Sequence, residues 1–339
     1  MTNLLELFGS SLPVVAAPMS GGPTTPALVL AATRAGSAGS LAGGYKSSQA
    51  LEEQVAEVRA ATEGYGVNLF APNPTAVDAA AYAAYRELLL PLAEQYGVDL
   101  PSAPVEDDDG WQDKVDVLVD AAPPVVSFTF GLPEATGAAA LRRAGCTLLQ
   151  TVTSAAEARL AHEAGMDALI VQSRDAGGHS GTFTPDRLPE RLPLPELVRA
   201  VRASVDLPVL AVGGVGAGDD VAAALDAGAQ AVGVGTLLLL ATEAGTNPAH
   251  RAGLSGDRGD PVATSAFSGR PAGGLRNAFL TAYDGRGPLG YPALHHLTSP
   301  IRKAAAAAGD PEHVNLWAGT GYRHAEARPA GEILRGLVP

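Results

Sequence analysis

The sequence predicts an α/β fold, a TIM-type (β/α)8 barrel carrying a helical cap, and three observations support that prediction. The first is a phrase that recurs at Ala35-Gly36, Ala144-Gly145, Ala164-Gly165 and Ala227-Gly228, where an amphipathic stretch ends in Ala-Gly and an apolar run follows within two residues. Glycine just past a helix end takes the left-handed conformation at little cost, so each phrase stops a helix and feeds a strand. The second is the set of short apolar runs at 12–17, 37–41, 66–70, 125–130, 147–152, 168–172, 209–212 and 231–234. Their number, eight, is that of a closed barrel. The third is that these runs are apolar on both faces and separated by helical patterns, as in a parallel sheet covered by helices. A doubly wound sheet is the alternative. It lacks support because no strand leads directly into a dinucleotide fingerprint with an acid at the next strand end.

Two regions exceed the repeating unit. Residues 73–113 hold a long helical run, 76–96, followed by the acidic, Pro-containing stretch 101–109. Everything beyond about residue 237 holds Gly/Arg/Pro-rich loops, an alanine-rich helix at 301–308 and a short helix near 331–337. The chain is therefore read as a barrel over 1–240, with a helical insertion at about 73–113, and a C-terminal cap or substrate subdomain over 241–339.

Composition narrows the function. With 339 residues, 46% hydrophobic and 17% charged, the chain has the makeup of a folded globule, and no apolar run is long enough to span a bilayer. A net charge of −13 repels phosphate backbones, which argues against nucleic-acid partners. The N-terminus has Glu6 where a secretory signal would be basic, and the reading is a cytoplasmic monomer or homodimer without a membrane partner. The single cysteine, Cys146, sits in an apolar run and is read as a buried structural thiol.

Reacting groups in such a barrel sit on the loops after the strands. The first loop reads Ala17-Pro18-Met19-Ser20-Gly21-Gly22, which by itself is a Pro/Gly turn. The third strand carries Asn68, either a satisfied core amide or one presenting donor and acceptor to a planar ligand. After the sixth strand comes Gln172-Ser-Arg-Asp-Ala-Gly177-Gly178-His179, on what reads as a thin, mobile wall. Of seven histidines only His179 closes a barrel strand, which makes it the catalytic candidate; His162 lies on a helix, and His250, His295, His296, His313 and His324 fall in the cap. The seventh and eighth strands end in Gly213-Gly214 and Gly233-Val234-Gly235-Thr236, where backbone N–H groups can cradle a phosphate without a lysine. No Walker lysine, paired-histidine zinc helix, calcium loop or serine nucleophile elbow is present.

In order along the chain, Ala17-Pro18-Met19, Gly66-Val67-Asn68, Ala176-Gly177-Gly178-His179, Gly213-Gly214, Gly235-Thr236, the stretch Ala266 to Asn277, Tyr291-Pro292 and Leu316-Trp317-Ala318-Gly319 resemble the nitronate monooxygenases, formerly called 2-nitropropane dioxygenases. The resemblance covers nearly the whole chain. It implies an FMN-dependent oxidation of alkyl nitronates, such as propionate 3-nitronate, by O2 to carbonyl compounds and nitrite. It further implies that Met19 and Asn68 contact FMN, that Gln172 and Gly177 lie along it, and that Gly214 with Gly233 to Thr236 binds its phosphate. Ala17, Gln150, Gly178 and Gly213 complete the implied cofactor set, with no metal. His179 matches the family's active-site histidine, which either abstracts an acidic carbon proton from a nitroalkane or, as a cation, stabilises an anionic flavin.

Several positions depart from the family pattern. Ser173 stands where glycine is frequent, Thr129 where some members carry a second active-site histidine, Leu237 where arginine is frequent, and Thr320 where glutamine is common. Arg270, Arg276 and Asn277 are candidates for holding a substrate carboxylate, or equally a charged surface loop. Other functions remain open: an NAD(P)H-dependent FMN reductase of enoyl-thioesters or quinones, a flavin-free phosphosugar isomerase or aldolase lacking the Lys or Glu base it would need, and a non-catalytic flavin-binding module.

Overall fold

The computed structural model describes residues 3–338. Its strands are β1 (Val14–Ala16), β2 (Ala38–Ala42), β3 (Gly66–Phe70), β4 (Val125–Thr129), β5 (Thr147–Val152), β6 (Ala168–Gln172), β7 (Gly178–His179), β8 (Val209–Val212), β9 (Ala231–Val234), β10 (Val262–Thr264) and β11 (Ala272–Gly274). Eight of them close a barrel in the order β1-β2-β3-β4-β5-β6-β8-β9, each neighbouring pair parallel, with β9 closing on β1 at Val15↔Gly233. The fold is the expected (β/α)8 barrel, and its eight strands are those read from the sequence to within two residues at each end.

The four Ala-Gly phrases end the helices Pro26–Arg34, Ala135–Arg143, Ala155–Glu163 and Gly218–Asp226, with φ of 85° at Gly36, 99° at Gly145, 75° at Gly165 and 105° at Gly228. A side chain in that region is strained, so the glycines are what let each helix hand over to its strand within two residues. Most of the apolar core lies between the strands and these helices. Inside the barrel, Val15, Val125, Leu149 and Leu210 pack on Leu4 and Phe8 of the N-terminal turn, which seals the end opposite the strand C-termini.

The insertion helix Ala79–Tyr96 starts at an Asp78 cap and ends at Gly97. It buries Tyr82, Tyr85 and Leu89 against Phe267, Phe279, Leu294, Leu297 and Ile301, forming a second core over the barrel mouth. The alanine-rich helix of the cap runs Ala293–Ala307, eight residues earlier than the sequence reading placed its start. Pro300 reads as a helix start, but the helix passes through it; the one backbone bond Pro cannot donate is outweighed by burial of Leu294, Leu297 and Ile301 on either side. The last helix, Ala330–Arg335, returns to the barrel and buries Ala330 and Leu334 in its core.

Candidate active site

The strand C-termini and the cap enclose a cavity of about 1080 Å³. Its lining includes Ala17, Met19, Asn68, Gln172, Gly177, Gly178, His179, Gly213, Gly214, Gly233, Val234, Gly235 and Thr236. Gln150 is not among them. Side chains alternate along a strand, so Leu149 and Thr151 of β5 face the cavity while Gln150 points away, fully buried, with Nε2 donating to the Phe128 and Thr151 carbonyls.

On the β3–β5 side the surface is a network of small polar groups. Asn68 Nδ2 donates to Ser127 Oγ at 3.0 Å and to Thr129 Oγ1 at 3.1 Å, and Thr129 Oγ1 lies 3.3 Å from Thr151 Oγ1. These bonds use the Asn68 donor and leave its Oδ1 without a protein donor among the described residues, as an acceptor at the cavity surface. On the opposite side, Gly213 and Gly214 have φ of 107° and 79°. A Cβ at Gly213 would come within 2.7 Å of Ser173 Oγ and 3.1 Å of the Ala176 backbone nitrogen. Among the described residues, the N–H groups of Gly213, Gly214, Gly235 and Thr236 donate to no protein acceptor, and the short helix Thr236–Leu238 begins at this point. Unpaired N–H groups lining one cavity are donors that an anion could use.

His179 does not sit on a mobile loop. It belongs to β7, which pairs antiparallel with β11 at Ala272↔His179 in a three-stranded sheet of order β10-β11-β7. Gln172 clamps the same segment, donating from Nε2 to the His179 carbonyl at 3.1 Å and accepting the Gly181 N–H at 2.7 Å. The buried Glu157 carboxylate holds the far end. One oxygen accepts from Thr182 Oγ1 and the Phe183 N–H, both at 2.8 Å, and the other accepts from the Thr153 N–H and hydroxyl.

The imidazole lies among aromatic rings, with centroids 5.5 Å from Trp317, 5.7 Å from Phe130, 5.9 Å from Tyr291 and 6.4 Å from Tyr45. Its Nε2 is 2.8 Å from Ser268 Oγ. Loss of solvation, then the Arg270 and Arg302 charges, push its pKa down to about 3, so the ring is neutral near pH 7. Burial likewise lowers His250 to about 4 and takes His295 well below the ordinary value.

These shifts set an acid limit on stability. An unfolded chain protonates histidine near pH 6.5, whereas the fold keeps these rings neutral, so their contribution is complete above about 6.5 and is lost as pH falls towards the folded values. From His250 alone the expected loss is about 3 kcal/mol by pH 4. Urea unfolding at successive pH values checks this, and a flat stability between pH 7 and 4.5 would refute it.

Of the three cap residues proposed to hold a carboxylate, none reaches the cavity. Arg270 is 0% exposed and sits behind the aromatic wall. Its guanidinium lies 4.1 Å from the Phe130 ring centroid and donates to the Phe130 and Thr182 carbonyls. Arg276 is exposed, and Asn277 caps the helix Ala278–Tyr283. The sequence reading missed Tyr45, Tyr291, His295, Arg302 and Trp317, all of which line the cavity. Tyr45 follows β2 with φ of 64°; Tyr291 and Trp317 lie in cap segments that carry the family resemblance without an assigned site role, and nothing nearby in the sequence marks His295 or Arg302.

Comparison with known proteins identifies the family. The model of the nitronate monooxygenase family matches residues 2–339. A probable nitronate monooxygenase of Staphylococcus aureus (strain Newman) is 33% identical over 344 residues, covering 99% of this chain and 96% of its own. The crystal structure of nitroalkane oxidase from Streptomyces ansochromogenes is 40% identical with a TM-score of 0.92, covering 99% of this chain and 96% of that one. FabK from Thermotoga maritima, 25% identical over 99% of this chain and 94% of that one, has a TM-score of 0.74. Among the described residues no helix is long and apolar enough to cross a membrane. A histidine-lined cavity at the mouth of a parallel barrel, together with a family match along the chain, places this protein in the nitronate monooxygenase family of flavin-dependent oxidoreductases.

Proposed function

We propose that the chain binds FMN in this cavity and uses O2 to oxidise alkyl nitronates, propionate 3-nitronate among them, to a carbonyl compound and nitrite. The observation that carries the proposal is a neutral imidazole facing the same cavity as a set of unpaired N–H groups. The residues fit the cofactor. Gly213, Gly214, Gly235 and Thr236 offer N–H donors to a phosphate, and Asn68 Oδ1 offers an acceptor to a ring N–H. Ala17, Met19, Gly177, Gly178, Gly233 and Val234 supply a wall of small or flexible groups against which a flat ring system can lie. Gln172 lines the cavity but spends its amide on the His179 segment, so its role is to hold that segment in place.

The chemistry that bound FMN supplies is acceptance of electrons from the nitronate and their delivery to O2. The protein handles the proton. Ser268 Oγ lies 3.2 Å from the Arg270 carbonyl and donates to it. The hydroxyl therefore accepts from the His179 ring, which puts the ring proton on Nε2 and leaves the lone pair on Nδ1. Nδ1 has no protein partner among the described residues and is the atom assigned to take an acidic carbon proton when the substrate arrives as a nitroalkane. Trp317, Phe130 and Tyr291 exclude water around it. The buried, unpaired Cys146 suits a reducing cytoplasm.

The purified protein is expected to be yellow and to release FMN. Mixed anaerobically, it is expected to bleach with propionate 3-nitronate and not with NADPH or NADH. Bleaching by the nicotinamide and not by the nitronate would replace this proposal with a reductase.

A further inference from the structure

We propose that Arg302 anchors a second negative charge on the substrate, a carboxylate carried on the alkyl chain of the nitronate; this rests on the nitronate reading above. Arg302 lies on the helix Ala293–Ala307, whose residues His295, Ser299, Arg302 and Lys303 share the face lining the cavity. Its hydrogen-bond partners are all neutral. Nε donates to Thr298 Oγ1 at 3.0 Å, Nη1 to Asn315 Oδ1 at 3.2 Å, and Nη2 to the His295 carbonyl at 2.9 Å. Among the described residues, no carboxylate forms an ion pair with it.

The acids on the same cavity wall are already engaged or lie at its rim. Asp109 is paired with Lys114 at 2.7 Å and Asp107 with His296 at 2.7 Å, while Asp113 is exposed. Withdrawing a guanidinium from water without a counter-charge is costly, and the cost is recovered when an anion binds beside it. Neutral acceptors fix the orientation of the planar fork, so the group is set in place before the ligand arrives.

The position of the cation selects the kind of anion. Arg302 lies against His295, whose ring stacks on Tyr45 with centroids 4.2 Å apart and planes at 1°. Tyr45 in turn lies 6.4 Å from His179. A stacked ring pair thus links the guanidinium to the imidazole along the cavity lining. The proposal gives Arg302 the far end of a substrate whose reacting carbon meets His179, and a carboxylate is the acceptor that matches the fork. The unpaired N–H groups of Gly213, Gly214, Gly235 and Thr236 come from other elements, the ends of β8 and β9, and are left for a different anionic group.

The test compares FMN-loaded wild type with Arg302→Gln on propionate 3-nitronate and on propyl-1-nitronate, which lacks the carboxylate. The ratio of the two kcat/KM values is expected to shift against propionate 3-nitronate by about 50-fold, mainly through KM. Arg302→Lys keeps the charge without the fork and is expected to fall between; it carries the comparison if the glutamine variant does not fold. Calorimetric binding of succinate, an unreactive dianion of similar length, is expected to weaken by a similar factor of about 50 in Arg302→Gln. An unchanged ratio or unchanged succinate affinity would overturn the assignment. Loss of FMN from the variant would also overturn it, by giving the guanidinium to the cofactor. If wild type oxidises neither nitronate, the functional proposal fails, while succinate affinity still decides whether Arg302 holds a carboxylate.

Discussion

His179→Ala is expected to lower kcat/KM for a neutral nitroalkane by about 1000-fold, within the range that a positioned general base contributes, with FMN still bound. The ring is neutral, its Nε2 lies 2.8 Å from Ser268 Oγ, which in the proposed tautomer accepts its proton, and its Nδ1 has no protein partner among the described residues. Removing it takes away the only proton acceptor assigned to the substrate carbon. A preformed nitronate has already lost that proton, so its oxidation is expected to suffer far less. Stopped-flow reduction of the bound flavin with nitroethane and with ethylnitronate, for wild type and variant, separates the two cases. Equal losses on both substrates would show that the imidazole acts on charge in the oxidation itself and not on the carbon proton. FMN retention, read from absorbance, distinguishes either outcome from collapse of the pocket.

Lys114→Met is expected to destabilise the fold by about 3–5 kcal/mol, the cost of leaving one member of a buried ion pair alone. Lys114 is 2% exposed and its Nζ lies 2.7 Å from Asp109 Oδ2. Asp109 itself has φ of 59° and accepts the backbone N–H of Tyr45 at 2.9 Å, so the pair supports two residues in the left-handed region, one of them an aromatic wall of the cavity. Burial raises the Asp109 carboxyl above its ordinary value, and the lysine opposes that shift. For a carboxyl whose folded pKa is raised, the penalty is absent when both states are protonated and grows as pH rises through the folded value. The deficit of Lys114→Met is therefore expected to be larger at pH 8 than at pH 5, as measured by urea unfolding at both. A deficit that is equal at the two pH values would mean that Asp109 finds water or another cation once the lysine is gone.

The scaffold was legible because it is written locally. Each Ala-Gly phrase fixes a helix end through one residue's backbone freedom, and each short apolar run is a strand buried on both faces. The same double burial hid the orientation of each strand's residues. With apolar neighbours on either side, nothing in the run Thr147 to Val152 indicates whether Leu149 and Thr151 or Gln150 faces inward, and Gln150 faces away from the cavity. His179 was found by its position after β6, but its rigidity was not, because its pairing partner Ala272 lies far along the chain. Arg302, His295 and Tyr45 meet only when the cap folds over the barrel, and no sequence window holds all three.

The plug of Leu4 and Phe8 at the base of the barrel makes the chamber blind at that end. On the proposed function, substrate, oxygen and products would therefore enter and leave from the cap side. The cap helices that line this side, Ala293–Ala307 among them, would then act on departure as much as on arrival.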